Sequence, residues 1–208
     1  MEDIKLLETG LLFKDALLTS EQAQKLLQPY YLKVVACIAN GINACLEIQQ
    51  SAPENCVPLT SSTKASIVNN YMVHHARKVF SGMEPDIMLF SDKGFQIVDF
   101  YGIIKMRFKK LSNELQPYSF KTYQQQAYDD QALFDAPATL VTAGYRLDSI
   151  GCFRDAHIVC WSGPELRWHL PLPNAHDLKQ PIEHVHEIVP PKVTITRKKT
   201  EADKKLAT

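Results

Sequence analysis

Ile104-Lys105-Met106-Arg107-Phe108-Lys109 is the stretch that decides the fold. Apolar and basic residues alternate one by one. That is the period of a half-buried strand, not of a helix. The stretch ends a longer run, residues 95–110, which Asp92-Lys93-Gly94 joins to residues 87–91. An Asp/Gly turn between two apolar runs is hairpin chemistry. The basic half of the alternation, Lys105, Arg107 and Lys109, is expected on an outer face, its cations about 7 Å apart.

Downstream the strand period continues. Residues 138–147, 156–161 and 166–170 read as further strands, separated by Gly151 and by Ser162-Gly163-Pro164. A short helix fits residues 124–134. Upstream the period is helical instead. Thr19-Ser20-Glu21 starts a short helix that Pro29 ends or kinks. Val34, Ile38, Ile42 and Cys45 recur at helical spacing and predict a long buried helix over residues 30–50. Ala65, Val68, Met72, Ala76 and Val79 form one stripe over residues 62–80, closed by Ser81-Gly82. Residues 4–18 are Leu-rich and also read as helical.

The fold class that follows is α+β. N-terminal helices pack on a mainly antiparallel β-sheet, with a proline-rich C-terminal segment and a disordered basic tail from Arg197. Three regions are expected: 1–60 helical, 61–172 the α+β core, and 173–208 the proline-rich extension with its tail.

Composition narrows the class without naming a reaction. The 208 residues are 45% hydrophobic, and 23 basic side chains balance 23 acidic ones. Zero net charge excludes a globally basic nucleic-acid binder and leaves room for a local basic surface. The first residues, Met1-Glu2-Asp3, are acidic where a secretory signal is basic. The most apolar stretch, residues 34–46, is interrupted by Asn40, Gly41 and Asn43 and falls short of the roughly 20 residues of a membrane span. Five cysteines, an odd number with no CxxC pair, read as free thiols. The expected location is cytoplasmic, with no membrane association.

No motif identifies catalytic residues, and the candidates are weighed against ordinary roles. His74 and His75 are adjacent on a helix and point about 100° apart, so they cannot share one metal as an i, i+4 pair can. One of them, His75 beside the Met72/Val79 stripe, is a candidate acid, base or ligand contact. The ordinary reading, which is favoured, is a surface histidine next to a satisfied core histidine. His184 and His186 project from one face of a strand, a spacing that metal sites use, yet no third ligand is assigned. A solvated edge strand is favoured there too. Lys105, Arg107 and Lys109, joined by Arg146, Arg167 and His169 if the register allows and with Trp161 as a stacking surface at the margin, suit successive phosphates of one strand or one charged nucleotide. Protection of an exposed strand from edge pairing accounts for the same row. Asp86 and Asp99 lack the acid and lysine that metal-dependent nuclease strands carry. There is no GxSxG and no phosphate loop, and no cofactor is expected.

Several short motifs carry a resemblance. His74-His75-Ala76-Arg77, Arg107-Phe108-Lys109-Lys110-Leu111, Thr122-Tyr123-Gln124-Gln125, Gln131 and Gly144-Tyr145 follow one another in the order seen in an uncharacterised bacterial and phage family. Its members tend to be encoded beside proteins combining an XRE-type helix-turn-helix with an ImmA/IrrE-type metallopeptidase domain. The chain resembles these proteins over residues 65–170. The resemblance implies a role in a toxin–antitoxin or phage-defence pair of the RosmerTA type, with a cognate antitoxin-like protein as partner. It implies no catalytic residues. Combined with the basic strand and Gln125, it suggests a cationic, amide-rich pocket for an anionic nucleotide or nucleic acid. The alternative is a non-enzymatic binding or assembly protein, a phage or bacterial accessory factor that engages a protein partner.

Overall fold

Thr19 starts the described helical part of the chain. The structure, a computed structural model, describes residues 17–51, 59–134 and 138–173. The Leu-rich stretch before residue 17, Cys56, the histidines His184 and His186, and most of the proline-rich extension with its tail lie outside the described residues. Thr19 and Gln22 close a reciprocal capping box at the start of α1 (Ser20–Leu27). Pro29 ends this helix, as expected. A single 3-10 turn, Gln28–Tyr30, then leads directly into α2 (Tyr31–Ser51). Thr60 caps α3 (Ser61–Val79), whose last turn holds Arg77 and Lys78 where the helix dipole favours cations.

Gly41 sets the closeness of α2 and α3. A Cβ there would stand 2.6 Å from the Val68 carbonyl oxygen and 2.7 Å from Met72 Cγ. The stretch Ser20–Ser51 is long and apolar enough to cross a membrane. Its apolar side chains have another use. Leu27, Val34, Cys37 and Ile38 are buried in one cluster with Met72, Phe100, Ile104 and Ile158. Helices and strands therefore share one core.

The sheet has six strands in chain order: β1 (Ile87–Asp92), β2 (Phe95–Phe100), β3 (Ile104–Lys110), β4 (Thr139–Leu147), β5 (Phe153–Ser162) and β6 (Glu165–Pro171). All neighbours are antiparallel except β3 and β4. The long run 95–110 is two strands, not one. Tyr101 (φ 59°) and Gly102 (φ 71°) turn the chain between them. Tyrosine rarely adopts that conformation, so the turn has no glycine–asparagine signature in the sequence. Asp99 helps hold it, its Oδ1 accepting from the Gly102 N–H at 3.0 Å.

A parallel pair needs a crossover, and this one changes the expected surface. Between β3 and β4 the chain forms a short helix, α4 (Tyr123–Asp129). Ile104, Met106 and Phe108 lie in the core shared with α1–α3. The opposite face, expected to be solvent-facing, is covered in two places. Tyr128 and Leu133 pack on Ile97 and Leu140. Leu111 and Leu115 pack on Val159, with Trp161 and Leu166 against them. The "outer" face of β3 is thus a second, smaller interior.

Candidate functional site

Register settles which residues share that second face. Arg107 pairs with Thr142 and Lys109 with Gly144, so Lys105, Arg107, Lys109 and Arg146 all project to the same side. The shared face is as expected; the open cationic platform is not there. Lys105 is buried, its ammonium 2.6 Å from Asp99 Oδ2 and within 5.4 Å of the Phe90 ring. Arg107 is only 2% exposed. Its Nε donates to Thr142 Oγ1 at 3.1 Å, one terminal nitrogen to Gln125 Oε1 at 2.7 Å, and the other to Asp129 Oδ1 at 3.1 Å. Burial pushes its guanidinium below the ordinary range, with Tyr128 and Asp129 opposing.

Arg107 and Gln125 are neighbours, as the mixed pocket required, yet they close on each other. Gln125 Nε2 also reaches both Asp129 oxygens at 2.8 Å. The cavity beside them, lined by Tyr128, Gln131, Thr142 and Trp161 among others, measures about 10 Å³, room for about one water. Trp161, a possible stacking surface, is half-buried and donates its indole N–H to the Leu115 carbonyl. Most residues of the resemblance are fold-bearing in the same way. Gln131 crosses from α4 to the sheet, accepting from Leu140 N at 2.7 Å and donating to the carbonyls of Leu140 and Trp161. A Cβ on Gly144 would lie 2.5 Å from the Lys109 carbonyl oxygen and 2.6 Å from Leu111 Cγ.

His74 is exposed and His75 half-buried on α3. Burial, with Lys78 and His74 nearby, holds the His75 imidazole below its ordinary pKa. Neither joins a cluster of metal-ligating groups among the described residues. Cysteine nucleophiles fare no better. Burial pushes the Cys37 and Cys160 thiols up to about 12, and Cys37, Cys45, Cys152 and Cys160 are free thiols.

One end of the second face is left open, and the polar groups gather there. Arg146 on β4 pairs with Asp155 on β5 through two bonds of 2.6 Å, and also donates to the Asn113 carbonyl at 2.9 Å. Among the described residues, part of its donor fork is left unused. The bidentate bonding lowers the Asp155 pKa and raises that of Arg146. His157, next along the same face of β5, has Nε2 3.3 Å from Asp155 Oδ1 and 3.4 Å from the Arg146 guanidinium. Its Nδ1 is buried without a hydrogen-bond partner among the described residues. Burial lowers the His157 pKa, with Asp155 opposing and Arg146 and His169 reinforcing.

His169 completes the group from the edge strand β6. Its ring centroid is 5.4 Å from that of His157, at an interplanar angle of 67°, and it is solvent-exposed. Lys109, half-buried on the same face, has no acidic partner among the described residues. Sequence reading named Arg146 and His169 as companions of the basic row and missed Asp155 and His157. The alternation Asp155-Ala156-His157 on a strand beside that of Arg146 was the available signal for those two. The open end therefore offers a cation, an exposed imidazole and a coupled buried imidazole, a set suited to holding an anion and moving a proton. No protein-family model matches the chain, and no curated protein or solved structure matches it either.

Proposed function

We propose that the chain is the effector of a two-protein toxin–antitoxin or phage-defence module, restrained by a cognate antitoxin-like protein. It acts on a nucleotide or nucleic acid at the Arg146–His157–His169 end of the sheet. The carrying observation is His169, exposed 5.4 Å from a buried imidazole that itself abuts a guanidinium. Work on a phosphate ester needs a group that exchanges a proton and a fixed positive dipole where negative charge develops. His169 is placed for the first and Arg146 for the second. Asp155 and His157 are positioning residues that orient the fork and tune its charge. The module role rests on the resemblance across residues 65–170.

Induced expression of the chain in bacteria tests this reading. Growth arrest by the native chain, relieved by His169→Gln at equal soluble abundance, is the expected result. Arrest that persists in both His169→Gln and Arg146→Gln, each shown to be folded, would move the site elsewhere. Normal growth at confirmed soluble expression removes the effector reading and leaves the binding or assembly protein.

A further inference from the structure

The crossover from β3 to α4 carries an outward-facing aromatic row. Tyr118 is 60% exposed, and Phe120 and Tyr123 are each 87% exposed. Three large rings in six residues, bare on the surface, contribute nothing to the core. Their backbone is nevertheless held at both ends. On one side Leu111 bridges Pro117, and Tyr118 N–H donates to the Lys110 carbonyl at 2.9 Å. On the other, Thr122 caps α4, which the Arg107–Gln125–Asp129 bonds fasten to the sheet.

Charge identifies the occupant. From Leu115 to Tyr128 the chain contains no acidic residue. Lys110 sits 5.5 Å over the Tyr118 ring, and Lys121 is exposed between Phe120 and Tyr123. A protein-docking patch of three rings needs no such cations, whereas unpaired bases stack on aromatic faces while lysines meet the phosphates between them. Paired bases hide their faces in the duplex, so a single strand is favoured. The row is also continuous with the open sheet end, because Asn113 in the same segment accepts from Arg146.

We propose that Tyr118, Phe120 and Tyr123, with Lys110 and Lys121, form a stacking arm for a single-stranded nucleic acid and lead its phosphates toward Arg146 and His169. This rests on the reading of that sheet end as the working site and names its substrate class.

The test is fluorescence anisotropy of the full chain with a labelled single-stranded oligoribonucleotide, the matching oligodeoxyribonucleotide and a duplex of the same sequence. The single strands are expected to bind more tightly than the duplex. Phe120→Ala/Tyr123→Ala is expected to weaken them by about tenfold or more, and Phe120→Trp/Tyr123→Trp to retain binding. The double alanine variant alters exposed side chains only, and its thermal unfolding serves as the folding control. Equal affinity for duplex, no binding by the native chain, or binding unchanged in the alanine variant each overturns the arm. So does loss of self-association in that variant with oligonucleotide affinity intact, which assigns the rings to a protein interface. Failure of the sheet-end reading looks different. Binding is lost with the aromatic pair, yet His169→Gln and Arg146→Gln leave growth arrest unaltered.

Discussion

The Arg107 guanidinium lies 3.8 Å from the centroid of the Tyr128 ring, buried between α4 and the sheet. This contact, with the bonds to Gln125, Asp129 and Thr142, fastens the crossover helix to β3 and β4. Asp129 is about a third exposed, so removing Arg107 costs chiefly through the groups it leaves unsatisfied, at about 1–3 kcal/mol for each. Arg107→Ala is expected to lower the urea unfolding midpoint accordingly. Arg107→Lys restores the charge without the planar fork and recovers only part of the loss. An unfolding free energy for Arg107→Ala within about 1 kcal/mol of the native value would show that the clamp is dispensable.

Gln131 stands in for a piece of backbone. Its amide meets Leu140 N, Leu140 O and Trp161 O at 2.7–2.8 Å. Gln131→Ala leaves those groups without this partner, at about 1–3 kcal/mol for each group that stays unsatisfied. Gln131→Glu is expected to be worse, since a carboxylate would face two carbonyl oxygens. Chemical denaturation ranks the three proteins, and equal stability of Glu and Gln at this position would contradict the assignment.

Gly144 is needed for space. An added methyl would meet backbone at the Lys109 carbonyl, which cannot swing aside as a side-chain end can. Gly144→Ala is expected to destabilise by about 1–3 kcal/mol, with the loss felt first where β3 pairs with β4. Hydrogen exchange of the paired amides reads that out, and unaltered protection at Lys109 to Leu111 would argue against it.

The His157 imidazole is expected to titrate below its ordinary value of 6.5, because burial disfavours its charged form. Asp155 works against that depression and Arg146 adds to it. Asp155→Asn therefore lowers the His157 pKa further, and Arg146→Gln raises it. In linkage terms the folded chain binds fewer protons at His157 than the unfolded chain does. Its contribution to stability is complete above about pH 6.5 and is lost as pH falls toward the depressed folded value. NMR titration of the His157 ring checks both signs. Movement of the midpoint in the same direction for the two variants would refute the opposed charges.

Particular residues show what was legible in the sequence. The helices over 20–28, 30–50 and 62–80 follow from spacing and caps, and the structure places them at Ser20–Leu27, Tyr31–Ser51 and Ser61–Val79. Strand periods are equally local, so all six strands lie where alternation and turn residues put them, apart from the turn at Tyr101-Gly102. That turn depends on Asp99 and on a tyrosine in an unusual conformation, neither of which alternation records.

What sequence alone determined was which side chains lie together on one face of a strand, because a pleat alternates wherever the strand is placed. Lys105, Arg107 and Lys109 share a side for that reason. Whether that side meets water was a tertiary matter. It depends on where the crossover from β3 to β4 sets down α4, and on the contacts of residues far apart in the chain. Arg107 with Asp129 is one such contact, and His157 with His169 is another. Lys105 and Arg107, chosen for an open surface, were consequently found in an interior. The residues that gather at the open end came from β4, β5 and β6, which only the register of the sheet could bring side by side.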